Sequence, residues 1–183
     1  MEVLRMDVLT AIEKRREITS FKDQQIPQET MEQLITSLYL SPSGNNLPSR
    51  EFIAVTDRAV LQDLSQTTPY MKWLQQASAG FVIVGNAELS KYWLQDATIA
   101  ASYLWLAATS LGLGAAWGAV YHSEDTTESL QRESYVRQQL DIPEHLRVVA
   151  IIGVGYAAEE PAPKQLYPLE SVLHQARYVR KDG

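Results

Sequence analysis

Hydrophobic and polar positions are unevenly distributed along this chain, and one stretch dominates. Tyr92 to Tyr121, YWLQDATIAASYLWLAATSLGLGAAWGAVY, has no charged residue between Asp96 and His122. Up to Leu111, small residues (Ala97, Ala100, Ala101, Ala107, Ala108) interleave with large ones (Ile99, Tyr103, Leu104, Trp105, Leu106), which predicts a helix that is apolar all round. Such a helix is buried on every side, by a large core, a subunit interface or lipid. Thr98, Ser102, Thr109 and Ser110 interrupt the apolar run and no basic residues follow it, which argues against a membrane span. Gly112 fits a helix C-cap, and Ala115 to Tyr121 predicts a buried strand.

Upstream, Asp7 can cap a short helix with Val8, Ala11 and Ile12 facing inward and Lys14, Arg15 and Arg16 crowding its end. A polar connection, EITSFKDQQIPQ, leads to a second helix with Pro27 near its first turn and Leu34, Ile35 and Leu38 on one side. Ser41 to Arg50, SPSGNNLPSR, must be a loop, because two prolines, a glycine and two asparagines cannot continue a helix. Glu51 to Thr56 is a strand by content, and Asp57 can cap a helix carrying Leu61 and Leu64. A short helix from Tyr70 to Ala77 precedes the strand FVIVG. Thr126 to Leu140 is a polar amphipathic helix, and RVVAIIGVGY from Arg147 is the clearest strand. Helices and strands mix without regular βαβ alternation, so the predicted class is α+β instead of a doubly wound sheet. The tail from Ala157, with Pro161, Pro163 and Pro168, has too few apolar residues for a core of its own and is expected to lie across another surface.

At 183 residues, 45% hydrophobic and 21% charged, the chain suffices for one well-cored domain, 1–183, with 157–183 as an extended tail. A wholly buried central helix is hard to cover in so small a monomer, which favours a subunit interface. The net charge of -6 argues against nucleic acid or an anionic membrane as the main partner. With no cysteine there is no disulfide, thiolate metal site or cysteine nucleophile, which fits a reducing compartment. The first 25 residues carry Glu2, Asp7, Glu13 and the basic cluster with no apolar h-region, so no secretory signal is expected and the expected location is the cytoplasm.

Three polar features can carry chemistry, each with a plainer reading beside it. Lys14-Arg15-Arg16 offsets the negative pole of its helix or forms an anion site, since Arg presents planar donors suited to phosphate. Ser41 to Asn46 is turn chemistry or a backbone cradle for a ligand rich in acceptors. Lys164, in a proline-flanked segment, is by default solvated. The histidines His122, His145 and His174 lack metal-site spacing. Gly112-Leu113-Gly114 follows a helix instead of joining a strand to one, so it is not a dinucleotide fingerprint, and neither a nucleophile elbow nor a P-loop is present.

The order of these segments resembles the FMN-dependent nitroreductases. Arg15 to Phe21, RREITSF, matches that family's Arg-Arg-Ser-Ile-Arg-x-Phe segment, and Ser41 to Phe52 matches its Ala-Pro-Ser-Gly-Asn-Asn-x-Gln-Pro-Trp-Glu-Phe loop. Gln95-Asp96 opening the long helix, the LAATSLGLGAAWGAVY run, Ile142-Pro143-Glu144-His145, and Gly153 to Glu160 with Pro163-Lys164 follow in the same order. The resemblance implies an α+β homodimer with a central, mostly antiparallel sheet flanked by helices, the long helix at the dimer interface, and FMN sites between subunits. By the same resemblance Arg15, Arg16 and Lys164 hold the FMN phosphate with Glu17 beside them. Ser43, Gly44 and Asn46 reach the flavin from the partner subunit, Lys72 stands by the ring's N1 and O2 edge, and the backbone at Gly118 and Ala119 lies along the ring. No side-chain catalyst and no metal are expected: NADH or NADPH delivers hydride to flavin N5, and a nitroaromatic, quinone or similar small acceptor then takes the electrons.

Six positions depart from the family pattern. Glu17 replaces a serine, Thr19 the third arginine, Leu166 a second basic tail residue, and Pro48-Ser49-Arg50 stand for Gln-Pro-Trp. They define a second expectation, a dimer with weakened or lost FMN binding that acts as a non-catalytic ligand-binding or interaction protein. The two differ at one place: Arg15, Arg16 and Lys164 converge on a pocket in the first, while Glu17 pairs with the arginines in the second.

Overall fold

The computed structural model describes residues 6–179. Glu2, and residues 180–183 of the tail, lie outside the described residues. The class is α+β as expected. The elements are α1 (Val8–Lys14), α2 (Gln28–Tyr39), β1 (Arg50–Val55), α3 (Arg58–Leu64), β2 (Ala79–Asn86), α4 (Trp93–Ser110), β3 (Gly114–Ala119), α5 (Thr126–Leu140), β4 (Leu146–Gly155) and α6 (Leu169–Val172).

The four strands form one antiparallel sheet in the order β1-β2-β4-β3. β2 and β4 are central and buried along almost their whole length because both faces of the sheet are covered. On one face Phe81, Ile83, Ile152 and Val154 pack against Leu34 and Leu38 of α2 and the alanine face of α4. On the other, Val82, Val84 and Ile151 pack against Leu61 and Leu64 of α3, Met71, Leu74 and Val136 of α5. Ala97, Ala100, Ala101 and Ala108, all buried, let α4 lie close to the sheet.

Local chemistry places the helix ends. Asp7, Asp57 and Asp125 cap α1, α3 and α5 by accepting backbone N–H bonds from Thr10, from Ala59 and Val60, and from Glu128. α4 closes in a Schellman motif: Leu113 N–H donates to the Ala108 carbonyl and Gly112 N–H to Thr109, with Gly112 at φ 76°.

Several expectations need correction. α4 is not buried on every side: Thr98, Ile99, Ser102 and Tyr103 form an exposed stripe opposite its alanine face. Within α1 only Ala11 is buried, with Val8 69% and Ile12 46% exposed, and Ile35 of α2 also faces outward. The same residue types serve a core or a subunit contact, so periodicity could not separate the two. The segment before β2 is a 3-10 helix from Pro69 to Gln76, not Tyr70 to Ala77, and a 3-10 turn at Gly44–Asn46 lies within the Ser41 loop. Beyond Ala157 the described tail is exposed apart from a half-buried His174, and it touches the rest of the chain at its start, where Ala158 N–H donates to the Ser20 carbonyl and the Ala162 carbonyl accepts from Arg16. No helix among the described residues is long and apolar enough to cross a membrane.

Candidate functional site

Helix α4 carries one cluster at each end. At its start, Asp96 is buried and accepts from the Gly44 amide at 2.8 Å and the Ser49 hydroxyl at 2.5 Å, which ties the Ser41 loop to the positive pole of the helix. Gly44 must be glycine here, since a Cβ would come within 2.5 Å of Tyr92 Cδ2. Asn45 and Asn46 follow at φ 54° and 55°, a left-handed turn that asparagine tolerates. Ser43 donates its hydroxyl to the Leu47 carbonyl at 2.7 Å, and Arg50 donates to the Ser41 carbonyl and hydroxyl. The loop is therefore held from its own side, and Arg50 is committed to it.

Nine residues further along α4, roughly 14 Å at helical rise, Trp105 marks the other cluster. Its indole N–H donates to the Arg16 carbonyl at 3.1 Å, and the Arg15 guanidinium lies 4.7 Å above its ring. Arg16 donates to the carbonyls of Glu13, Arg15 and Ala162. A small cavity of about 120 Å³ opens there, lined by Lys14, Arg16, Gly112, Gly114 and Pro161 among others. Lys164, exposed, follows two residues after the Ala162 carbonyl that Arg16 holds.

Strand β3 runs from this cluster along the edge of the sheet. The arginine segment pairs with its start: Glu17 bridges Ala115, and Ile18 N–H donates to the Ala115 carbonyl at 3.0 Å. Backbone direction alternates along a strand, so the N–H groups of Ala115, Trp117 and Ala119 face away from β4. The Glu17 carboxylate accepts from the Trp117 N–H at 3.4 Å. Among the described residues it has no ion pair with Arg15 or Arg16. At the far end of β3, Met71 packs beneath Gly118, where a Cβ would come within 2.5 Å of Met71 Cε. The adjoining Lys72 donates its ammonium to Gln66 Oε1. Ala119, beside Gly118, is exposed.

The structure thus puts Arg15, Arg16 and Glu17 at one end of an edge strand and Gly118 and Ala119 at its other end, where Met71 packs against Gly118 while the exposed Lys72 turns to Gln66. It does not bring Ser43, Gly44 or Asn46 to them within one chain: that loop precedes β1, at the opposite edge of the sheet.

Sequence reasoning gave no role to Trp105, to the Asp96 carboxylate as the tie of the Ser41 loop, or to the Glu133 network. Glu133, fully buried, accepts from Arg147 Nε and Nη2 at 2.8 and 2.7 Å, Arg137 at 3.1 Å, the Ser129 hydroxyl at 2.9 Å and the Val148 amide at 3.1 Å. Burial alone would raise its carboxyl, but the bonds from Arg147, Ser129 and Val148 together with the Arg147 charge outweigh it and hold the carboxyl below its ordinary value. The Glu133 bond in turn raises Arg147. Arg147 also lies 5.4 Å from the Trp93 ring and 5.1 Å from that of Tyr121, which meet edge to face. The signal in the sequence was Ser129, Glu133 and Arg137 at successive four-residue steps on one helix.

Fold and site define an α+β scaffold with two arginines beside the start of its edge strand, and known proteins share it. The nitroreductase family model matches residues 12–73 and 62–156. A Methanothermobacter thermautotrophicus protein described as an NADH dehydrogenase/NAD(P)H nitroreductase is 34% identical over 169 residues, covering 91% of this chain and 85% of its own. A Bacteroides thetaiotaomicron structure of the same description superposes with a TM-score of 0.84 at 32% identity, covering 93% of this chain and 98% of that one. An FMN-dependent nitroreductase from Clostridium difficile gives 0.82 at 32% identity, with 93% and 99% covered. The chain belongs to the nitroreductase family, and with it to the NAD(P)H-dependent flavin oxidoreductases.

Proposed function

We propose that the protein is an FMN-dependent oxidoreductase that uses NADH or NADPH to reduce a nitroaromatic, quinone or similar small acceptor. The observation that carries this reading is the edge strand β3, with two arginines beside its start and an exposed Ala119 at its end. The donor set suits the cofactor. Arg15 and Arg16, with Lys164 two residues past the Ala162 contact, would provide charge-assisted donors for a phosphate, and the outward N–H of Ala119 would be a donor for the ring. When bound, the flavin would supply hydride transfer through N5, a chemistry that no amino-acid side chain provides. In this reading Lys72, released from Gln66, would offer a positive charge to the reduced ring, and the Gly118 backbone over Met71 would lie along it.

The active form in this reading is a homodimer formed in the cytoplasm, with 1–183 as one domain and the tail crossing to the second copy. The exposed apolar residues of α1 and α4, Val8, Leu9, Ile12, Ile99 and Tyr103, are the surface that a second copy would cover. Ser43, Gly44 and Asn46 of the partner subunit would then complete a site that one chain leaves open. The non-catalytic alternative needs Glu17 paired with the arginines, and Glu17 is turned to Trp117 instead.

The test is the visible absorption spectrum of the purified protein, repeated after incubation with FMN and desalting. A retained flavin spectrum that bleaches on anaerobic addition of NADH or NADPH is the expected result. A colourless protein that fails to retain added FMN would overturn the proposal.

A further inference from the structure

We propose that Glu17 is a specificity determinant that opposes the phosphate of the cofactor, so that the site holds FMN less tightly than its arginines would allow and discriminates little between FMN and uncharged riboflavin. This rests on the flavin reading above. Two observations carry it. Glu17 follows Arg15 and Arg16 directly, and the Ala115 bridge fixes its backbone there, so an anion held by the two arginines has a carboxylate on the adjoining residue. Among the described residues its charge also has no ion pair. Arg15 is laid on the Trp105 ring and Arg16 is engaged with three carbonyls, while the carboxylate itself has one long bond, to the Trp117 amide.

The consequences are electrostatic and local. An anionic ligand at the arginines meets a like charge among the residues that bind it, and like charges in a shared site repel most where water is excluded. Glu17 also occupies the Trp117 N–H, one of the outward amides of β3 that a ligand lying along the strand could use. Lys14, which lines the neighbouring cavity, adds a further positive charge and limits the effect without removing it.

The experiment is a flavin-fluorescence titration of FMN and of riboflavin, on wild-type protein and on Glu17→Gln and Glu17→Ser, each first stripped of bound flavin. Gln keeps an oxygen acceptor for the Trp117 amide and removes only the charge; Ser removes both. Glu17→Gln is expected to bind FMN about tenfold more tightly while riboflavin changes less than twofold, and the FMN gain is expected to shrink as salt is raised. An unchanged FMN affinity in both variants, or an equal gain for both flavins, would overturn the inference and leave the flavin reading intact. Binding of neither flavin by any of the three proteins would overturn that reading and this inference with it.

Discussion

Two carboxylates of this chain stand beside arginines, and the protein treats them in opposite ways. Glu133 is fully buried and takes bonds from Arg147, Arg137, Ser129 and the Val148 amide, so every charge in its neighbourhood is answered from within the chain. Glu17 lies next in sequence to Arg15 and Arg16, pairs with neither, and has one 3.4 Å bond to Trp117. The first arrangement joins α5 to β4 and, through the stacking of Arg147, to Trp93 and Tyr121. The second leaves a carboxylate beside two arginines that are held by Trp105 and by backbone carbonyls instead of by it. Charge alone marks neither role; the degree to which the chain satisfies that charge separates them.

The largest effect should follow from removing Glu133. Glu133→Ala strands two arginines and two further donors around a void, and breaking one side of a buried ion pair costs about 3–5 kcal/mol. For a chain of this size the loss corresponds to a melting temperature lower by on the order of 10 °C. A thermal melt followed by circular dichroism checks it; a shift under about 2 °C would remove the distinction between the two carboxylates.

The same residue gives a pH dependence whose sign follows from its lowered carboxyl. A group whose folded value lies below its unfolded one contributes stability above the unfolded value, and loses it as pH falls through the folded value. The stability gap between wild type and Glu133→Gln is therefore expected to be full at neutral pH and to narrow below the ordinary carboxyl range, about pH 4. Urea unfolding at several pH values measures that gap, and a gap that widened on acidification would contradict the network described for Glu133.

At the other region the expected effect is on binding, not stability. Lys164→Ala should weaken FMN binding about tenfold, close to 1.4 kcal/mol, because it removes one charge-assisted contact to phosphate. Its melting temperature without flavin should stay at the wild-type value, since the side chain is exposed. Unchanged FMN affinity in a flavin titration would discard the phosphate assignment of Lys164.

How much of this could be read before the structure depended on whether the deciding contact was local. Thr126 to Leu140 was legible to the residue because Asp125 caps its start within one turn, and Gly112 was legible because its left-handed backbone ends α4 where the apolar run stops. Arg15, Arg16 and the Ser41 loop were legible as motifs. The inward orientation expected of Val8, Ile12 and Ile35 was wrong within the chain, because an apolar stripe does not say which surface will cover it. Glu133 was missed because a glutamate on a polar helix resembles its solvated neighbours until Arg147, on another element, is brought to it. The orientation of Glu17 was out of reach for the same reason: Trp117 is one hundred residues away, and only the order of strands in the sheet places it alongside.

The smallest effect is expected from Glu17 itself when stability is the readout, and that makes it the sharpest check on the comparison. Glu17→Gln keeps an oxygen for the Trp117 amide and leaves the Ala115 bridge, a backbone contact, untouched. Among the described residues its carboxylate answers no ion pair, so removing the charge strands no cation there. The stability of the flavin-free variant should therefore fall within about 0.5 kcal/mol of wild type, and any change should be a gain at low salt on a chain of net charge -6. Chemical denaturation with both proteins side by side resolves it. A loss of 2 kcal/mol or so, a size typical of a bonded buried charge, would mean that Glu17 holds the arginine segment to β3 much as Glu133 holds α5 to β4, and the two carboxylates would then share one role.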